Sequence, residues 1–156
     1  MKQLQLRNRQ RDHTLKLPVL RHISTALLEE LLQFPAYELA IQFVSARIMA
    51  GLNERFLGHA GPTDVITFDF RDGYDAAFQK LDLAGEIYIC LAVAEKQAAE
   101  FNTSWKEELV RYIVHGVLHL IGYDDLAAEK RRAMKREENR LLKALARRFK
   151  FAEVSR

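Results

Sequence analysis

Hydrophobic and polar positions along the chain alternate between two periods. "LQL" near the start alternates and predicts a first strand, "YELAIQFVS" a second, "TDVITFDF" a third and "AGEIYICL" a fourth. Helical spacing occupies the stretches between them. Residues 17–34 repeat at three and four and stop before Pro35, and "ARIMAGLNERFLG" returns to that spacing and ends at Gly58, which fits a left-handed cap. "AVAEKQAAEF" predicts a helix that Asn102 and Thr103 interrupt. Ser104 followed by Glu107 predicts a capping box for the next one, which runs to Gly122. A last amphipathic helix, roughly 126–149, carries Met134, Leu141, Leu142, Leu145 and Phe149 on its apolar side. "RDGYDAAFQKLDL" has the weakest pattern and reads as a surface loop. Strands interspersed with helices in one short chain predict an α+β fold: a single domain over residues 1–156, with a mixed sheet of about four strands packed with helices.

The helix before Gly122 changes the question from fold to chemistry. Between Leu109 and Ile121 nearly every residue is apolar, the exceptions being Arg111, His115, His119 and the small Gly116. At about 100° per residue, Glu108, Arg111, His115 and His119 share one narrow stripe on a helix otherwise buried all round. Two buried imidazoles side by side satisfy each other poorly unless something bridges them, and a divalent ion does so. Gly122 then turns the chain so that Asp124 or Asp125 can swing back towards the histidine pair. The resulting HxxxHxxGxxD spacing matches the extended zinc pattern H-E-x-x-H-x-x-G-x-x-H at all but two positions. Gly116 stands where the glutamate would be and Asp125 where the third histidine would be. Without that glutamate a zinc peptidase is excluded as the first reading.

Composition and charge narrow the partners. With 49% apolar residues and no apolar run long enough to span a bilayer, the expectation is a globular protein with no membrane partner. One cysteine, Cys90, lies in an apolar run and predicts a buried thiol in a reducing compartment, so a cytoplasmic location is expected. Net charge is +3, but residues 1–25 hold six Lys/Arg against one acid and residues 126–156 eleven against four, flanking an acidic middle. The basic last helix, with Lys130, Arg131, Arg132, Lys135 and Arg136, is either a solvated face or a surface for a polyanion.

At this point "HGVLHLIGYDD" resembles the signature of the YbeY family of bacterial metal-dependent endoribonucleases, which reads H-G-x-L-H-L-x-G-Y-D-H. "GPTDVITFDF" is similar to that family's P-T-D-V-L-S-F segment and "GEIYIC" to its G-D-I strand, over roughly residues 37–145. The resemblance implies one Zn²⁺ ion, with Mn²⁺ or Mg²⁺ as alternatives, and single-stranded RNA as the substrate. It implies a role in small-subunit rRNA 3′-end processing and ribosome quality control, with the ribosome or a ribosomal protein as partner. Carried onto this chain, His115 and His119 are metal ligands, with Asp125 where the family has its third histidine. A family arginine falls on Leu57, with Arg55 and His59 nearby.

The remaining candidates follow from that chemistry. Arg111, one turn before His115, is the nearest cation and is assigned to catalysis with His115; its alternative is an ion pair with Glu107. Arg55, His59, Thr63, Asp64, Lys130 and Arg131 are the RNA-binding candidates. Asp64 either orients a ligand histidine or makes a turn bond beside Pro62, and Tyr123, Phe68 and Phe70 either stack bases or pack the core. The competing reading is a non-catalytic RNA- or ribosome-binding assembly factor that keeps the fold. A metal hydrolase acting on something other than RNA is the third.

Overall fold

The computed structural model describes residues 1–156. Four strands form one sheet: β1 (Lys2–Arg9), β2 (Tyr37–Val44), β3 (Val65–Asp69) and β4 (Leu83–Cys90), in the order β1-β2-β4-β3. β1, β2 and β4 are parallel and β3 runs antiparallel along the edge beside β4, so the sheet is mixed as expected. The parallel pairs need crossover connections, and the helical stretches of the sequence supply them: α1 (Leu17–Thr25) between β1 and β2, and α2 (Ala46–Leu52) on the way to β3 and β4.

α4 (Leu91–Phe101), α5 (Trp105–Leu120) and α6 (Ala128–Arg148) then follow in series, after a short α3 (Ala76–Gln79) ahead of β4. The alternation of β2 sends Tyr37, Leu39, Ile41 and Phe43 to the main core, which Ile87 and Ile89 of β4 share with the apolar faces of α1, α5 and α6. A smaller cluster of Val44, Met49, Ile66 and Cys90 lies on the opposite face beneath α2. Cys90 is buried as expected, and burial pushes its thiol up, away from the reactive thiolate.

Three expectations are refined. α1 does not stay a regular helix to residue 34. It widens into a π-type turn over Ala26–Leu31, and Gln33 takes a positive φ of 57° before Pro35. The helix of residues 46–58 likewise ends in a widened turn, Asn53–Leu57, with Gly58 in the left-handed cap. The segment 71–83 is more than a loop: a 3₁₀ turn at Phe70–Asp72 leads into it, α3 lies within it and β4 starts at its last residue, the turn and α3 each opened by an aspartate that accepts a backbone N–H. Its Arg71 reaches inward and donates to the carbonyls of Asp82 (2.8 Å) and Leu120 (3.1 Å), tying this segment to the end of α5.

The last residues fold back on the first. Leu15 and Ser155 form an antiparallel bridge, Lys16 N–H donates to the Val154 carbonyl at 2.8 Å, and Val154 is fully buried. No helix is long and apolar enough to cross a membrane.

Candidate metal centre

Each part of the histidine helix has a local cause. Ser104 Oγ accepts the Glu107 N–H at 3.0 Å and starts α5, with Glu107 and Glu108 in the positive first turn. Midway along, Gly116 lies flat against the central strand. A Cβ there would fall 2.8 Å from Ile87 Cγ2 and 2.9 Å from Ile87 Cδ1. The position that carries glutamate in zinc peptidases therefore faces the sheet, and only glycine lets α5 pack this closely on β4.

The helix then ends as a Schellman motif: Tyr123 N–H donates to the Leu118 carbonyl (2.9 Å) and Gly122 N–H to the His119 carbonyl (3.1 Å). Gly122 takes a φ of 106°, which a side chain would resist. This turn gives the two aspartates different surroundings. Asp124 Oδ1 accepts the Leu126 N–H at 2.6 Å and its other oxygen lies 3.8 Å from Lys130 Nζ. Asp125 faces the histidines, with Oδ2 3.6 Å from His119 Nε2 and 4.0 Å from His115 Nε2, while the two Nε2 atoms are 3.1 Å apart.

Those separations fit a divalent ion. Donor atoms about 2.0–2.2 Å from a tetrahedral ion lie about 3.3–3.6 Å from one another, against 3.1, 3.6 and 4.0 Å in this cluster. The orientation of His115 fits too. Its Nδ1 donates to Glu138 Oε1 at 2.7 Å, so a neutral ring carries its lone pair on Nε2, aimed at the other two donor atoms. Three Lewis-basic atoms converging with no proton donor beyond the rings themselves is a set that a cation satisfies. Burial, then the neighbouring His115, lowers the pKa of His119, while Asp125 and a backbone hydrogen bond to Tyr123 oppose this. The net effect favours the neutral imidazole that coordinates metals.

Glu138, on α6, is the residue that sequence reasoning missed. It is 3% exposed and accepts from His115, from Arg111 Nη1 at 2.9 Å and from Lys135 Nζ at 3.3 Å. Burial pushes its carboxyl up, but the His115 bond, the Arg111 bond and the Lys135 charge outweigh it and hold it at about 2. A signal was present in the sequence. Met134, Glu138, Leu141, Leu142 and Leu145 share the buried face of α6, so an acid occupies a core position of an amphipathic helix.

A cavity of about 590 Å³ opens beside this centre, between α4, α5 and α6. His115, Asp125, Glu138, Arg111, Asp64, Arg131, Arg132 and Lys135 all line it. Arg111 does not pair with Glu107: its guanidinium bonds Glu138 and Asn139 (both 2.9 Å) and lies 3.9 Å from Glu108. Asp64 does not orient a histidine either. Its carboxylate accepts the Val65 N–H at 2.8 Å and the Thr63 hydroxyl at 3.3 Å, the turn role, although it borders the cavity. Arg55 sits on the widened turn after α2 with its guanidinium 5.3 Å from the Phe56 ring centre, and His59 is exposed; neither lines the cavity. Lys130 is likewise outside it, beside Asp124.

Comparison with known proteins agrees with the motif. A sequence profile described as "Endoribonuclease YbeY" matches residues 5–146. The chain belongs to the YbeY family. An endoribonuclease YbeY of Chlorobium luteolum is 40% identical over 112 residues, 72% of this chain and 77% of that protein. One of Pelotomaculum thermopropionicum is 37% identical over 123 residues, 76% of this chain and 81% of its own length. The solution structure of TM1509 from Thermotoga maritima superposes with a TM-score of 0.64 at 26% identity, covering 91% of this chain and 88% of that one. YbeY proteins are endoribonucleases, hydrolases of phosphodiester bonds, and this chain carries a histidine–histidine–aspartate cluster able to hold their metal. Leu57, at the position of the arginine in the YbeY pattern, is half exposed, and residues 53–59 contribute nothing to the cavity wall. Positive charge along that wall comes instead from Arg111 on α5 and from Arg131, Arg132 and Lys135 on α6.

Proposed function

We propose that this chain is a single-strand-specific, metal-dependent endoribonuclease of the cytoplasm. Its task would be small-subunit rRNA 3′-end maturation and ribosome quality control, in contact with the ribosome or a ribosomal protein. His115, His119 and Asp125 hold the ion, with Zn²⁺ the first candidate. The observation that carries the reading is the convergence of these three donor atoms beside a cavity that His115 and Asp125 line together with basic side chains.

A bound divalent ion supplies Lewis acidity to the phosphoryl group and lowers the pKa of a coordinated water. The chain's own residues do the rest. Glu138 fixes the His115 ring through Nδ1 and keeps Nε2 directed at the cluster. Arg131, Arg132 and Lys135 attract the polyanion and align its phosphates. Arg111, held by Glu138 and Asn139, presents a fixed positive charge to the cavity where negative charge builds up on the phosphoryl oxygens. Aspartate in place of a third imidazole makes the site one charge less positive, which raises the pKa of a coordinated water and tolerates harder ions such as Mn²⁺ or Mg²⁺.

The exposed Leu57 in place of an arginine favours the second reading, an assembly factor that binds RNA or the ribosome without cutting. Cleavage of single-stranded RNA by wild type, His115→Ala and Asp125→His separates the two. Metal-dependent cutting that His115→Ala abolishes supports the enzyme. Equal cutting by wild type and His115→Ala, or none by any form with ribosome association intact, defeats it.

A further inference from the structure

We propose that the outer face of α6 is a track for the phosphate backbone of RNA, which continues from the cavity along the helix and holds the strand beyond the metal centre. This rests on the reading of the chain as an RNA-cleaving enzyme and adds a second binding surface to it. Five cations carry the argument: Arg132, Arg136, Arg140, Lys143 and Arg147.

These residues follow one another at intervals of four, four, three and four. At about 100° per residue they fall within about 80° of one another, on a stripe that runs about 22 Å along the helix axis. The opposite side of α6 holds Met134, Glu138, Leu141, Leu142 and Leu145, all buried. That packing fixes the helix about its axis, and all five cations of the stripe are exposed. Two contacts set the stripe relative to the metal centre. Glu138, on the buried side, accepts from His115 at 2.7 Å, and Arg132, the first cation of the stripe, lines the cavity that His115 and Asp125 also line. Arg131 and Lys135 line that cavity too, so positive charge steps round the helix from the cavity wall to the outer stripe.

A solvated helix face usually interleaves acids with its bases, because like charges one turn apart destabilise a helix. Here Arg132 and Arg136, Arg136 and Arg140, and Lys143 and Arg147 are all like-charged neighbours four apart. Glu129 is the one acid in line with them, ahead of the stripe, and Glu137 pairs with Arg140. Arg132, Arg136, Lys143 and Arg147 have no carboxylate within ion-pair distance. Cations four apart on a helix rise about 6 Å from one to the next, close to the separation of successive phosphates along an RNA strand. A polyanion laid on the stripe relieves the repulsion and releases its own counterions. An anionic membrane fits less well, because the apolar side that a surface helix would insert is buried in the core.

The test measures binding of uridine oligomers of about 4 and about 16 nucleotides. The protein is the full chain carrying His115→Ala to prevent cutting, with and without Arg136→Gln/Lys143→Gln/Arg147→Gln. These three positions are exposed and glutamine is a good helix former, so the triple variant should be at least as stable in urea as its parent. The parent should bind the long oligomer on the order of tenfold more tightly than the short one. The triple variant should lose most of that gain. Its log affinity should also fall less steeply with log salt, by about 2, from three phosphate contacts at about 0.7 each. Arg11→Gln/Lys80→Gln/Lys96→Gln removes the same charge from other exposed positions and should keep both the gain and the slope. A gain that survives the stripe substitutions, or falls equally in that control, overturns the track and leaves the endoribonuclease reading intact. Poly-glutamate that displaces the long oligomer as well as unlabelled RNA does would make the stripe a surface for acidic protein and overturn the track too. No cutting by wild type, with the gain lost only in the stripe variant, removes the endoribonuclease reading and leaves the track standing.

Discussion

Replacing Glu138 by glutamine should weaken metal binding without touching a donor atom. Glu138 is the one group that meets His115, Arg111 and Lys135 together, and it does so with a side chain that is 4% exposed. Glutamine keeps an oxygen for His115 Nδ1 but loses the charge that favours an electron-rich Nε2 and balances Arg111. Changes to such supporting partners typically lower metal affinity about 10- to 100-fold. Stability should fall as well. A hydrogen bond to a charged group contributes about 1.5–3 kcal/mol against about 1 kcal/mol for a neutral one, so Glu138→Gln should cost about 1–2 kcal/mol. Glu138→Ala leaves Arg111 and His115 facing an empty carboxylate site. Removing one partner of a buried pair costs about 3–5 kcal/mol, and the upper end does not apply because Arg111 keeps Glu108 and Asn139. Competition against a chelator gives the affinity and urea unfolding the stability, with Glu137→Gln, whose partner is the exposed Arg140, as control. If Glu138→Gln binds Zn²⁺ within twofold of wild type, Glu138 does not orient His115 and its supporting role at the centre is refuted.

Asp125→Asn should abolish stoichiometric metal in the purified protein while Asp124→Asn retains it, as read by elemental analysis; the reverse pattern would transfer the ligand role to Asp124. Gly116→Ala should destabilise the fold by about 1–3 kcal/mol through overpacking against Ile87, and a denaturation midpoint equal to wild type would contradict the close approach. Tyr37 supplies a pH test far from the metal. Burial, then its hydrogen bond to Glu29, raises its hydroxyl to about 12, so the folded state prefers the neutral phenol. That contribution is fully present below the ordinary value of about 10 and is lost as pH climbs from about 10 to about 12. Tyr37→Phe should be flatter than wild type over that window in denaturation midpoints, and parallel curves would rule out the linkage.

How far the sequence revealed the centre depended on the range of each contact. His115, His119, Gly122 and Asp125 fall within one helix and its turn, where helical periodicity and the φ of one glycine settle the geometry. The sequence favoured Asp125 and left Asp124 open, because the turn that engages Asp124, through a 2.6 Å hydrogen bond from Leu126, is not written in the spacing. Glu138 comes 23 residues after His115. Its charge on the buried face of α6 was visible, but its partner depended on how α5 and α6 cross. Arg71 gave less warning still. It lies in the segment with the weakest pattern, and its ties to Asp82 and Leu120 are to main-chain carbonyls, which leave no trace in side-chain type. Arg111 lies on the polar stripe as expected, and the alternative pair with Glu107 gives way to Glu138 and Asn139, since an i,i+4 rule cannot weigh a buried carboxylate from another helix. The sheet followed the same division: alternation marked its four strands, while their order, with β4 between β2 and β3, rests on pairings between distant segments.

The bridge between Leu15 and Ser155 has a consequence for the order in which the molecule assembles. The Ser155 hydroxyl donates to the Thr14 carbonyl across 141 positions of sequence. Closing so long a loop carries a large entropic cost before any contact repays it, and such contacts form late in folding. Helices α4, α5 and α6 are sequential neighbours with local contacts, so they can gather the histidines, Asp125 and Glu138 first. A bound ion would then favour a partly folded chain whose first strand is still loose, and the clasp at Val154 and Ser155 would close last. Metal capture would thus belong to the folding nucleus, and the clasp would chiefly govern how slowly the finished protein unfolds.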